Sequence, residues 1–272
     1  IYFIVTASNT ANIANGDFTA LIRLKGEISS DSEISASNVK SSLKEIYENP
    51  GVKAVILSIN SPGGSPVQSG IINNEIERYK TLHPDIPVYA VVEDICASGG
   101  YYIAVAADKI FVDKASIVGS IGVLMNGFGF DQAIKELGIE RRLLKSGENK
   151  AILDPFLPVN PKQREFMQGL LKEVHDQFIN VVKKGRGPKL TNNSDIFTGL
   201  FWSGESAIKL GLADDYGDID FVAREVVGYE RIVDFTTQKS FVDRFAKKIG
   251  AGIGSGIGKN ILNNYLKNIT LK

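Results

Sequence analysis

The sequence predicts an α/β layered fold, and three observations carry that reading. Residues 52–59 and 87–92 are nearly continuous apolar runs of strand length, the pattern of strands covered on both faces. Each run leads into a turn of small residues and then into a segment with helical spacing, so strands and helices alternate along the chain. With 272 residues and 43% hydrophobic composition, the chain is long enough to build such a core.

The elements follow in order. Ile1-Tyr2-Phe3-Ile4-Val5-Thr6-Ala7 is apolar but far too short to span a bilayer. It reads either as the end of a signal anchor whose hydrophobic part lies upstream or as a first strand, and polar residues 8–12 follow it like a linker. Residues 18–24 read as a strand ended by Gly26. Val39, Leu43, Ile46 and Tyr47 put one apolar face on a helix over 37–47, which stops at Pro50-Gly51. After the strand 52–59, the turn Asn60-Ser61-Pro62-Gly63-Gly64-Ser65 opens a helix over 66–82. The unit then repeats: the run 87–92, the turn Cys96-Ala97-Ser98-Gly99-Gly100, an alanine-rich helix over 101–107 and a short strand over 109–113. Residues 161–184 predict one long amphipathic helix with Phe166, Leu170, Val174, Phe178 and Val181 along its apolar stripe, ended by Gly185-Arg186-Gly187-Pro188. From Phe241 on, the chain becomes too glycine-rich to favour a helix and reads as a mobile or partner-dependent extension. The expected division is an N-terminal apolar stretch and linker (1–16), one main domain (17–230) and a C-terminal extension (231–272).

Composition excludes several classes. Thirty-one basic residues balance 31 acidic ones, so no overall field draws in nucleic acid. The single cysteine, Cys96, allows no disulfide within the chain, and two histidines beside one cysteine argue against a structural zinc site.

In α/β folds, ligands gather at the loops beyond the carboxyl ends of the strands, where both glycine turns fall. Ser98 sits at the second. A serine at a strand-to-helix turn lies near backbone N–H groups and a positive helix end, which favour an oxyanion. The alternative is that Ser98 merely caps the helix, a role serine favours. Gly63 and Gly64, at the end of the preceding strand, can turn N–H groups toward a carbonyl oxygen, with Gly99 near the serine; a plain strand-to-helix connection is the bland alternative. A hydroxyl nucleophile needs a base. His83 reads as a surface residue and His175 as a structural or solvent-facing one, which leaves lysine: an amine in a desolvated pocket loses its proton more readily. Lys150, between the polar Ser146-Gly147-Glu148-Asn149 and the apolar Ala151-Ile152-Leu153, stands out locally, but composition alone does not select it.

Several motifs in order resemble one family. Ala97-Ser98-Gly99-Gly100-Tyr101-Tyr102 resembles the nucleophile motif of the signal peptide peptidase A family of serine proteases, and Ser61-Pro62-Gly63-Gly64 its oxyanion loop. Val118-Gly119-Ser120-Ile121-Gly122-Val123, Lys150 with Asp154-Pro155-Phe156, and Trp202-Ser203-Gly204 with Gly211-Leu212-Ala213-Asp214 and Gly217 are similar to further segments of that family, so the likeness runs from about 18 to about 227. The resemblance implies a fold like that of Clp protease and crotonase proteins, built from repeated ββα units. It implies a serine–lysine dyad of Ser98 as nucleophile and Lys150 as base, with Ser120 orienting the amine and Gly63, Gly64 and Gly99 forming the oxyanion hole. Neither metal nor organic cofactor is expected. Substrates would be remnant signal peptides and other short or unfolded apolar peptides, held in a groove lined partly near Ile121 and Val123. The single nucleophile motif is similar to the family's short form, which implies a homo-oligomeric ring whose active sites take serine and lysine from neighbouring subunits. It also implies anchoring in the bacterial inner membrane with the catalytic part on the extracytoplasmic side. Asn149 departs from the aromatic or histidine that relatives often carry there, which leaves the dyad intact. Two rivals remain: a crotonase-like CoA-thioester enzyme, which needs a carboxylate at the oxyanion hole and for which Glu93 and Asp94 are the nearest candidates, and a non-catalytic membrane scaffold.

Overall fold

The computed structural model describes residues 16–237. The N-terminal apolar stretch and the glycine-rich extension lie outside the described residues.

In chain order the elements are β1 (Phe18–Lys25), α1 (Ala36–Tyr47), β2 (Val52–Ser61), α2 (Pro66–Leu82), β3 (Val88–Ala97), α3 (Gly99–Ala104), β4 (Lys109–Val112), β5 (Ile117–Gly119), α4 (Asp131–Glu136), α5 (Pro161–Arg186), β6 (Phe201–Ser203), α6 (Gly204–Lys209), β7 (Asp215–Tyr216), α7 (Ile219–Phe221) and β8 (Ile232–Asp234). Eight strands form one sheet of order β6-β5-β3-β2-β1-β8, with β4 pairing both β3 and β7. Every pairing is parallel except β5 with β6. The fold is therefore α/β, as the alternating pattern predicts.

Strand alternation sorts side chains between two layers. Ile22 and Leu24 of β1, Val55 and Leu57 of β2, and Val88 and Ala90 of β3 pack on one face with Val39, Leu43 and Ile46 of α1 and Ile72 and Ile76 of α2. Leu21, Ile56, Val91 and Phe111 face the other way, against Val222 and Ala223. Burial on both faces explains why the central strands lack polar alternation.

The helix starts are local. Ser35 accepts from the Asn38 N–H, Ser65 from that of Gln68 ahead of Pro66, and Asn160 from those of Lys162 and Gln163 ahead of Pro161. Each satisfies donors that the first turn leaves free, and proline at the first helical position gives up none.

Three features depart from the sequence pattern. β3 runs on to Ala97 through the polar pair Glu93-Asp94, because neighbouring β2 supplies partners: Ser58 Oγ donates to Glu93 (2.5 Å) and Asn60 Nδ2 to Asp94 (2.7 Å). The first half of β3 pairs with β4 and its end with β5, which carries Ala97 to Gly119. β8, beyond the expected boundary at 230, is an edge strand beside β1, and the compact unit runs to Thr236. In α5, Phe178 and Val182 are buried, whereas Phe166 and Leu170 are exposed, so the predicted stripe packs only along its C-terminal half. No described helix is long and apolar enough to cross a membrane.

Candidate active site

Ser98 links the end of β3 to the start of α3. Its φ of 51° and ψ of −121° lie in a region that side chains rarely adopt. The turn is held by its backbone: the Ser98 N–H donates to the Gly119 carbonyl (2.8 Å), and the Ser98 carbonyl accepts from the Tyr102 N–H (2.9 Å). The side chain makes no capping bond to the helix. The capping alternative is thereby set aside, and Ser98 lines a cavity of about 670 Å³.

The loop after β2 closes against this turn. The Ile28 N–H donates to the Gly63 carbonyl (2.9 Å) and the Ser65 N–H to the Ile28 carbonyl (2.8 Å). These two bonds bring Gly64 so close to Ile28 that a Cβ on Gly64, at φ 147°, would stand 2.2 Å from the Ile28 oxygen. A Cβ on Gly63, at φ 104°, would meet the Gly99 nitrogen at 2.7 Å and Ser98 Cβ at 2.8 Å. Only glycine permits this approach.

Gly63 cannot serve as expected, because its N–H already donates to Ser61 Oγ (3.1 Å). The N–H groups of Gly64 and Gly99 have no acceptor among the described residues. They lie close together: the Cβ position of Gly99 is 3.3 Å from the Gly64 nitrogen. Both glycines line the cavity with Ser98.

Ser120 lines the same cavity, and it too has a positive φ, 52°. Its N–H donates to the Leu200 carbonyl (2.7 Å), and its carbonyl accepts from the Gly122 N–H (2.9 Å). Val123 lines the cavity, but Ile121 does not. The expectation of a substrate-contacting Ile121 is corrected: its side chain is fully buried in the core, because the tight turn at 120–122 points it inward. Pro66, Val67, Tyr102, Val174 and Phe178 supply apolar wall, and Tyr102 packs on Phe178 with ring centroids 5.0 Å apart.

Lys150 is not brought to this cavity. It is exposed in a turn where its N–H donates to the Gly147 carbonyl (3.1 Å). Its neighbourhood is ordered locally: Asp154 accepts from Arg141 (2.8 Å) and from the Phe156 N–H (2.9 Å), and these bonds hold its carboxyl below the ordinary range. The stretch from 124 to 159 exposes Leu124, Met125, Phe128, Phe130, Leu144 and Phe156, among other apolar residues.

The remaining titratable candidates sort clearly. His83 ends α2, roughly 25 Å along that helix from Ser65 at 1.5 Å per residue, and stacks on Tyr47 (4.7 Å). His175 is half-buried, and its Nε2 lies 3.0 Å from the Ile121 carbonyl. The sequence carried no signal for that contact, since it depends on where α5 crosses the segment after β5. Glu93 and Asp94 line a different, larger cavity, and no carboxylate lines the Ser98 cavity among the described residues. The carboxylate that a crotonase-like thioester enzyme needs is therefore not found beside the Gly64 and Gly99 N–H groups.

A hydroxyl on a strained strand-to-helix turn, beside two N–H groups with no acceptor among the described residues, supplies the nucleophile and the oxyanion donors of acyl-transfer chemistry, and the base is the part that this cavity does not itself contain. The model of peptidase family S49 matches residues 80–229. A Brucella abortus protein named Na(+)/H(+) antiporter NhaA is 44% identical over 195 residues, covering 72% of this chain and 26% of that protein. An Enterococcus faecium protein provisionally named signal peptide peptidase SppA is 35% identical over 180 residues, covering 66% of this chain and 52% of that one. The chain thus spans between a quarter and about half the length of these relatives. Among solved structures, a ClpP1 mutant from Listeria monocytogenes has a TM-score of 0.46 at 14% identity, covering 73% of this chain and 91% of that one. The chain belongs to peptidase family S49, the signal peptide peptidase A family.

Proposed function

We propose that this chain is a serine endopeptidase in which Ser98 attacks the scissile carbonyl of an extended peptide and Lys150 of a neighbouring subunit takes its proton. The observation that carries the reading is the Ser98 turn: a hydroxyl free of any capping bond, on a residue that lines one cavity with Gly64 and Gly99, whose N–H groups have no acceptor among the described residues. Those N–H groups hold the developing oxyanion, and loss of one such donor typically costs about 2.7–4 kcal/mol of transition-state stabilisation. The protonated amine then donates to the leaving nitrogen, and water hydrolyses the acyl-enzyme. Ser120, in the same cavity, orients the incoming amine.

A shared site is favoured by two features of the single chain. Lys150 is exposed and outside the Ser98 cavity, and the segment around it presents apolar side chains to solvent. A second copy covering that segment desolvates it and delivers the lysine. The apolar cavity walls suit remnant signal peptides and other unfolded apolar segments. Such substrates agree with attachment to the bacterial inner membrane and an extracytoplasmic catalytic domain.

The test is complementation. Ser98→Ala and Lys150→Ala proteins are each expected to be inactive on a fluorogenic peptide. Mixed and reassembled, they are expected to recover activity, with labelling by a serine-directed phosphonylating reagent lost in each single variant and regained in the mixture. Wild-type activity in Lys150→Ala removes the assigned base, and full activity in a monomer removes the shared site.

A further inference from the structure

We infer that His175 is a positioning residue that holds Ser120 in its strained conformation and couples it to the Ser98 helix; the inference rests on the peptidase reading above. A carbonyl oxygen only accepts, so in the 3.0 Å contact with Ile121 the Nε2 of His175 carries the proton and donates. That bond completes a set of three around one residue. Ser120 has its N–H on the Leu200 carbonyl, its own carbonyl on the Gly122 N–H, and the next carbonyl, that of Ile121, on His175. A φ of 52° on a residue with a side chain persists only where the surroundings over-determine it. Two of the three hydrogen bonds are backbone contacts, and His175 supplies the third from a side chain, beside the Ile121 side chain buried in the core.

The tether comes from a helix that also grips the other wall of the cavity. Three residues after His175 on the same face of α5 stands Phe178, packed on Tyr102 of α3, the helix that begins next to Ser98. Val174 and Phe178 line the cavity itself. One rigid turn of α5 therefore sets the distance between the Ser98 helix and the Ser120 turn. Loosening the His175 end frees the 120–122 turn while leaving the buried Phe178 and Val182 in the core.

The experiment uses the full-length oligomer and compares His175→Phe, His175→Gln and Ser120→Ala on a fluorogenic peptide. Phenylalanine keeps the bulk without the donor; glutamine restores an N–H at similar reach. His175→Phe is expected to lower kcat about tenfold with KM nearly unchanged and the thermal midpoint lower by about 2–4 °C, the loss of one hydrogen bond. His175→Gln is expected to stay within about threefold of wild type, and the double variant with Ser120→Ala to be no slower than Ser120→Ala alone. Wild-type kcat in His175→Phe, equal damage from Phe and Gln, or additive losses in the double variant would each overturn the inference. A crystal structure of His175→Phe reads it without any activity: Ser120 leaving its positive φ supports the tether, and an unchanged φ refutes it. A wild-type protein that cleaves no peptide sinks the peptidase reading and leaves that structural readout standing.

Discussion

Alanine at position 98 removes the hydroxyl and keeps the backbone strain; glycine removes both. The difference in stability between Ser98→Ala and Ser98→Gly therefore measures what the turn stores. At φ 51° and ψ −121°, a residue with a Cβ sits in sparsely populated space, which costs on the order of 1–3 kcal/mol. Glycine is free of that penalty but brings about 0.5–1 kcal/mol of extra chain entropy to the unfolded state. The net expectation is that Ser98→Gly is more stable than Ser98→Ala by up to about 2.5 kcal/mol. For a domain of this size, each kcal/mol moves the thermal midpoint by about 2–4 °C, so the glycine variant should melt up to about 10 °C higher. Paired differential scanning calorimetry at one protein concentration and one scan rate measures this. Both variants should be inactive. A glycine variant that melts below the alanine variant would mean that the turn is unstrained, and the account of Ser98 as a residue held against its preference would fail.

Gly63→Ala should lower kcat by about 10²-fold or more, the loss typical of a damaged oxyanion site, because its Cβ would meet the Gly99 nitrogen at 2.7 Å and push the turn aside; peptide hydrolysis and the thermal midpoint should fall together. Asn73→Ala removes the Nδ2 donor to the Tyr102 carbonyl (2.8 Å) at the end of the six-residue α3. Stranding that acceptor should cost about 1–3 kcal/mol, read as a lower urea midpoint. Burial alone would raise the Asp214 carboxyl, but hydrogen bonds from Arg186 (2.7 Å), Lys189 (2.7 Å) and the Ile110 N–H (2.8 Å) more than offset it and leave it below the ordinary carboxylate range. A folded-state value below the unfolded one contributes stability that is present above about pH 4 and is lost as pH falls through the lowered value. Asp214→Asn should flatten the fall of the thermal midpoint below about pH 4, and an unchanged acid slope would refute its part in it.

What the sequence by itself determined was local chemistry. Helix starts at Ser65-Pro66 and Asn160-Pro161 are legible because a capping side chain acts within three residues of its own position. The central strands are legible because burial on both faces leaves an unbroken apolar run. The Ser98 turn and its glycines are legible because close backbone approach excludes a Cβ wherever it occurs. The tertiary structure decided what depends on neighbours far along the chain. β3 continues through Glu93-Asp94 because β2 offers Ser58 and Asn60, and β8 joins the sheet only because β1 has a free edge there. Ile121 turns into the core while Ser120 lines the cavity, and His175 reaches a carbonyl 54 positions away. Lys150, the base named by motif order, stands exposed outside the cavity that holds Ser98. Motif order fixes which residues follow one another, whereas the distance between an amine and a hydroxyl is set by packing, within the chain or between copies of it.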